Sequence, residues 1–152
     1  MSAWRTKALE LFPEMRSEVE SAQSAGVLWI ELISRFREFY NPVSETQRSE
    51  PPNLIRNICM FAIWCTRVNA ADVQQGAWIE FYEGVPQFAF QSRPSVYKRI
   101  IRDLVSNLGI SEVEKSTGTM LAHLTAEQQK KFMADLEQAE YERQRRSSKR
   151  HA

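Results

Sequence analysis

Apolar residues recur along most of this chain at the three-and-four spacing that places them on one face of an α-helix. The pattern is clear in segments 3–21 and 26–40. Pro13 interrupts the first segment, because proline suits the first turn of a helix and not its interior. The second segment ends at Asn41, since a residue that precedes proline avoids helical geometry. We therefore predict a broken helix followed by a second helix that stops before Pro42.

The stretch NLIRNICMFAIWCTRV, residues 53–68, is the most apolar part of the chain and contains eight consecutive apolar residues, Ile58 to Cys65. Its strongly polar side chains stand near its two ends, so the helix is apolar on nearly all sides. Such a helix is enclosed by its neighbours. The run is far shorter than the ~18 residues needed to cross a bilayer. We predict that helix 53–69 is the buried centre of the fold.

Glycine, proline and capping residues divide the rest of the chain into a polar loop, a connector and four further helices, one of them short. The segments are loop 41–52, helix 70–83 stopped by Gly84, connector 85–92, helix 94–108 capped by Ser92 and stopped by Gly109, a short helix near 111–116, and a last helix that begins with the capping box Thr125–Gln128. The sequence therefore predicts an all-α fold: a single-domain bundle of about five or six helices around the buried central helix 53–69.

Charge divides this chain into two parts, although its formal net charge is only +1. Residues 143–152 carry five basic side chains and no acid, which leaves fifteen basic and nineteen acidic residues elsewhere, a net charge of −4. With 152 residues, 43% apolar and 26% charged, the composition is that of one globular domain. We predict a helical domain over 1–142 and a basic, disordered tail over 143–152.

The N-terminal segment indicates no export or membrane insertion. Its sequence, MSAWRTKALELFPEMRSE, is interrupted by charge every few residues and holds no apolar run of signal-peptide length. We expect a cytoplasmic protein without a membrane partner.

Residues suited to catalysis or to metal binding are sparse. Cys59 and Cys65, six positions apart on one helix, diverge by roughly 240° and ~9 Å, too far for a disulfide or for a shared metal. Phosphate-binding glycine loops, the G-x-S-x-G turn and H-E-x-x-H are missing from the sequence. His123 has no partner nearby in sequence, so a small hydrolase built on His123 and a carboxylate is only a third interpretation. We predict no enzymatic activity, no cofactor and no metal.

The main functional prediction is a non-enzymatic protein that binds another macromolecule, most simply another protein, with no oligomeric state favoured. Aromatic residues are enriched in binding hot spots, and one stretch interleaves them with carboxylates. We predict a contact patch formed by Trp78, Phe81, Tyr82 and Glu83.

The alternative prediction is a nucleic-acid-associated regulator. Helix 94–108 presents three basic residues away from its apolar stripe, and the basic tail would add phosphate contacts: Lys98, Arg99 and Arg102. The segment LVSNLGISEVEKS resembles a helix-turn-helix with Gly109 at the turn. The pattern then fails, because positions that must pack inward fall on Lys115 and Gly118.

Five short stretches in order resemble a family of small bacterial proteins known as a domain of unknown function: LFPE (11–14), SRFREFY (34–40), NICMFAIWC (57–65), WIEFYEGVP (78–86) and LGI (108–110). The resemblance covers roughly residues 8–110. It implies a helical fold and a bacterial origin, and it supplies no active-site residues. By analogy, small acidic helical proteins of this kind act as binding partners or as immunity proteins for toxins.

Overall fold

The computed structural model describes residues 1–42 and 53–151, which form an all-α bundle without strands in those ranges. The helices are α1 (Ala3–Leu11), α2 (Arg16–Ser21), α3 (Ala25–Tyr40), α4 (Leu54–Arg67), α5 (Ala71–Gly76), α6 (Gly84–Gln91), α7 (Pro94–Leu108), α8 (Ile110–Met120) and α9 (Ala126–His151). A 3₁₀ turn (Pro13–Met15) separates α1 from α2, and a π-helical segment (Ala77–Glu83) joins α5 to α6. The predicted fold class is confirmed. Most of the predicted loop, from residue 43 to residue 52, lies outside the described residues.

Helix α4 is the centre of the bundle, as predicted. It contacts α1, α3, α5, α7 and the π-helical segment. Phe61 is fully buried, where Phe12 meets it edge-on at 5.9 Å and Trp29 stacks on it at 5.3 Å. Apolar residues on nearly every side of α4 are therefore matched by helices on nearly every side. The exception is Met60, which is 37% exposed.

The N-terminal half follows the predicted boundaries. Pro13 begins the 3₁₀ turn that separates α1 from α2. Ser24 caps α3, since its Oγ accepts a hydrogen bond from the Val27 amide at 3.2 Å. Helix α3 ends at Tyr40, immediately before Asn41.

The prediction that a helix stops at Gly84 is wrong, because α5, the π-helical segment and α6 are continuous from Ala71 to Gln91. Gly84 has ordinary right-handed helical geometry. The apolar face formed by Phe81, Val85 and Ala89, each at most 1% exposed, continues through the predicted stop. Burial of that face favours the helix over its local stop signals. The π-helical segment ends at Glu83, three residues before Pro86, in the turn whose carbonyl a proline ring would meet in a regular helix.

The junction between α6 and α7 also differs from the sequence prediction. The Ser92 hydroxyl donates a hydrogen bond to the Phe88 carbonyl at 2.8 Å, so Ser92 belongs to the end of α6 and does not cap α7. Pro94 occupies the first turn of α7, as predicted. Gly109 ends α7 with φ of 85°, a conformation that glycine adopts most easily. Helix α8 is longer than the predicted 111–116.

Helix α9 begins at the predicted capping box. The Thr125 amide donates to Gln128 Oε1 at 3.0 Å, and the Gln128 amide donates to Thr125 Oγ1 at 3.1 Å. The helix then continues to His151, through a segment that the sequence predicts to be disordered. Arg143 Nη2 donates to Glu140 Oε1 at 2.7 Å, which ties the first residue of that segment to the preceding turn.

Across the described ranges, none of these helices combines the length and the apolarity that a membrane crossing requires.

Candidate binding groove

The predicted contact patch is mostly inside the protein. Phe81 and Tyr82 are both 0% exposed. Only Trp78 and Glu83 are partly exposed. The patch as predicted needs correction, since two of its four side chains cannot touch a partner in this structure.

The π-helical segment explains this burial. Its aromatic rings pack in different directions: Phe81 faces α3, whereas Tyr82 lies near Glu112 of α8. Phe81 packs on Trp29 at 5.8 Å and on Phe36 at 6.3 Å, both from α3. Burial raises the pKa of the Tyr82 hydroxyl, and the charge of Glu112 raises it further. This region is therefore a packing contact between helices.

Glu83 has a partner that the sequence did not indicate. Its Oε2 lies 3.1 Å from His123 Nε2, and the two residues are 40 positions apart. The side chains are 28% and 54% exposed, respectively. The carboxylate and imidazole needed for the hydrolase interpretation thus meet at the surface. Neither residue lines the groove described next.

A groove of about 870 Å³ lies between the end of α6, the first half of α7 and the middle of α9. Its floor is apolar and is formed by Phe90, Tyr97, Ile101 and Ala139. Ile101 is 3% exposed, and Tyr97 and Ala139 are each 8% exposed. The floor is therefore part of the folded core and not a set of loose surface side chains.

Contacts between the three helices hold this floor in place. The Phe90 ring packs on Tyr97 at 5.0 Å and on Phe132 at 6.3 Å, which joins α6 to α7 and α9. The Tyr97 hydroxyl donates a hydrogen bond to Asp135 at 2.6 Å. Burial raises the pKa of Tyr97, and its bond to Asp135 raises it further. The tyrosine therefore stays neutral and remains a donor at any physiological pH.

The rim of the groove is positively charged. Among the described lining residues, five are cationic and two are anionic: Lys98, Arg99, Arg102, Lys131 and Arg146, against Asp135 and Glu142. The five cationic residues are all exposed. The rim thus carries a formal excess of three positive charges on a chain whose overall excess is one.

The rim is formed by residues from segments that the sequence prediction kept apart. Lys98, Arg99 and Arg102 are the basic residues predicted on helix 94–108, and the structure places all three along the groove. Arg146 comes from the predicted tail. Because α9 continues as a helix, this arginine is carried to the same groove. Lys131, the fifth cation, was not singled out by the sequence pattern.

Several rim cations have local interactions, and two have none that the described residues show. Lys131 Nζ lies 3.1 Å from Asp135 and sits over the Tyr97 ring at 5.0 Å. Arg99 lies over the Tyr40 ring at 5.4 Å. Within the described ranges, neither Lys98 nor Arg146 forms an ion pair. These two charges are available to a bound molecule.

The two thiols lie away from the groove. Cys59 and Cys65 are both 0% exposed, and burial raises the pKa of each, that of Cys65 to about 12. Since the thiolate is the reactive form of cysteine, both are inert at neutral pH. In the part of the chain that the structure describes, histidine, cysteine and carboxylate side chains do not cluster in threes as a metal site requires.

The helix-turn-helix resemblance of the α7–α8 region does not extend to its packing. The inward positions of α8 are Val113, Ser116 and Met120. Lys115 and Gly118, where the motif requires packed residues, are exposed. The basic groove, and not this segment, is therefore the candidate site for an anionic partner.

No protein-family model, curated protein or solved structure matches this chain.

Proposed function

We propose that this protein is a non-enzymatic binding protein whose partner is another protein and whose binding site is the groove between α6, α7 and α9. The observation that carries the proposal is the combination of an apolar floor built from core side chains with an exposed, mostly cationic rim. Protein-binding sites typically have an apolar centre and a polar rim. The proposal keeps the predicted function and moves the site away from Trp78, Phe81, Tyr82 and Glu83. A bacterial origin rests on the sequence resemblance and a role like that of a toxin immunity protein rests on analogy, and both are compatible parts of this proposal. We propose a cytoplasmic location with them.

The test is site-specific photo-crosslinking in the cells that produce the protein. A photoreactive amino acid would replace Ser95, which is exposed and lines the groove. The matched control would replace Ser34, an exposed residue of α3 that does not line it. We expect covalent adducts with a partner protein at position 95 and none at position 34.

A third position separates the groove from the patch predicted by sequence. Ile79, 47% exposed, is the neighbour of Trp78. Adducts at position 79 without adducts at position 95 would return the binding site to the predicted patch. Adducts at neither position would refute both sites.

The second candidate function is that of a nucleic-acid-associated regulator. It is favoured by one observation, the convergence of Lys98, Arg99 and Arg102 with Arg146 at one groove. If four such cations contacted phosphates, the logarithm of the affinity for duplex DNA would fall against the logarithm of salt concentration with a slope near −4. A Lys98→Ala/Arg102→Ala variant would then have a shallower slope, near −2, because two phosphate contacts are lost. An affinity without salt dependence would exclude this function.

A further inference from the structure

We infer that the partner segment bound in the groove is an amphipathic α-helix with acidic residues beside its apolar stripe. This inference rests on the proposed function, and it specifies the chemistry of the segment that the groove accepts.

The dimensions of the groove suit one short helix. Its α9 wall runs from Lys131 to Arg146, which at 1.5 Å per residue is ~22 Å. The opposite wall is the first half of α7, from Pro94 to Arg102. A helix of ~15 residues has the same length as the α9 wall. A helix laid along two helices with its apolar face down is a recurrent mode of peptide recognition.

The floor suits an apolar stripe. Phe90, Tyr97, Ile101 and Ala139 belong to three different helices and present carbon surface along the groove. The polar atom of Tyr97 is already engaged, because its hydroxyl donates to Asp135. A partner that covers this floor therefore gains most from apolar side chains, which a helix supplies at every third and fourth position.

The positive charge of the rim favours a partner with negatively charged side chains. Lys98 and Arg102 are four residues apart on α7, so they share one face of that helix. Arg146 stands on the α9 side. Carboxylates along both flanks of a bound helix would meet these cations, whereas lysine or arginine there would be repelled. Electrostatic complementarity of this kind selects partners and raises association rates.

A nucleic acid fits the groove less well than an acidic helix. Its phosphates could use the cations, but its backbone would leave the apolar floor without a complementary surface. Asp135 and Glu142 would also repel phosphates, and both lie along the α9 wall. In an acidic helix, the spacing of its carboxylates allows the cations to be matched and these two acids to be avoided.

The experiment is a display selection of random peptides of ~15 residues, matched to the α9 wall, against the full-length protein. The charge-reversed variant is Lys98→Glu/Arg102→Glu. Its control, Lys115→Glu/Lys130→Glu, makes the same change in net charge at two exposed residues that do not line the groove. Circular dichroism and thermal melting establish that both variants are folded.

We expect enriched peptides with apolar residues at helical spacing and an excess of aspartate and glutamate. Charge reversal in the groove should weaken their binding by about tenfold or more, and the control variant should bind as the wild type does. An empty selection, an enriched pool without acidic excess or helical spacing, or equal binding to the charge-reversed variant would each overturn the inference. Displacement of the selected peptides by duplex DNA of higher affinity would instead assign the groove to nucleic acid.

The outcomes also separate this inference from the proposed function. If crosslinks to a protein form at Ser95 while the selection fails, the groove remains a protein-binding site and only the acidic helix is rejected. If crosslinks at position 95 fail as well, the groove is rejected as the protein-binding site.

Discussion

The contact between α3 and α5 allows a sharp test of the packing around the central helix. A Cβ atom added to Gly76 would lie 3.1 Å from Trp29 Cδ1 and 3.2 Å from Gly26 Cα. Both distances are shorter than ordinary van der Waals contact, which begins near 3.4 Å. Trp29 cannot easily move aside, because it is 0% exposed and lies between Phe61 and Phe81. The Gly76→Ala variant must therefore push the two helices apart by a few tenths of an ångström.

The magnitude follows from two opposing contributions. Overpacking of a tight core costs about 1–3 kcal/mol. Replacing glycine by alanine within a helix contributes about 1 kcal/mol in the other direction. We expect Gly76→Ala to lower the free energy of unfolding by about 0–2 kcal/mol.

Two other glycines of this chain serve as matched controls. Gly118 lies in α8 with nothing within 4 Å of an added Cβ. Gly26 faces Gly76, yet its own added Cβ would meet only Ser24 Oγ, at 3.7 Å. Alanine at position 118 or 26 should leave stability unchanged or raise it by up to about 1 kcal/mol.

The assay is urea unfolding of the three variants, followed by circular dichroism. The helix-propensity contribution is shared, so Gly76→Ala should fall below Gly118→Ala by about 1–3 kcal/mol. For a domain of this size the difference corresponds to a gap in Tm of roughly 2–12 °C. If the three variants were equally stable, the close approach of α3 and α5 would be refuted. If Gly26→Ala were the least stable variant, the crowded Cβ position would be that of residue 26 and not that of residue 76, which would contradict the structure.

Three further predictions concern the thiols, the α9 cap and the basic end of α9. Burial raises the pKa of Cys59 and of Cys65 above 9.0, the ordinary value of a thiol. The folded state therefore keeps protons that the unfolded state loses, and the free energy of unfolding falls as pH rises above 9. At pH 11 the two thiols should account for a loss of about 5 kcal/mol in the free energy of unfolding, measured by urea unfolding. A Cys59→Ala/Cys65→Ala variant should be spared this loss, and an equal loss in that variant would contradict the prediction. Thr125→Ala removes the hydroxyl that accepts the Gln128 amide at the start of α9, and it should lower the free energy of unfolding by about 1 kcal/mol. Thr125→Ser keeps a hydroxyl and should retain most of that stability. Residues 143–151, helical with exposed side chains up to residue 149, should exchange their amide hydrogens much faster than the rest of α9, and equal protection would reject the disorder predicted from sequence.

The sequence by itself determined most of the helices and the central one. Apolar spacing and local signals such as Pro13, Gly109 and the Thr125–Gln128 box act within one or two turns, so they can be read from neighbouring residues. An apolar run as long as Ile58–Cys65 makes a helix apolar on nearly all sides, so the helix must be buried by neighbouring helices.

Tertiary structure decided where the helix after α4 ends. Gly84 and Pro86 are local stop signals, and a sequence pattern gives them full weight. The face formed by Phe81, Val85 and Ala89 is buried against neighbours distant in sequence, and this burial keeps the helix continuous to Gln91. The π-helical segment lies in the turn before this proline, and a change of helix type has no simple signature in a single sequence.

Tertiary structure likewise decided which residues face outward. In WIEFYE, aromatic residues occupy several sides of the helix, and periodicity does not predict which ring packs against α3. The hydrogen bonds of a π segment also change the rotation per residue, so that both Phe81 and Tyr82 turn inward. The candidate site was recognised only in part: Lys98, Arg99 and Arg102 are local features of one helix, whereas Lys131 and Arg146 join them only because α9 packs beside α7. Local spacing fixes a helix and its faces, but the meeting of two faces depends on contacts between residues far apart in the chain.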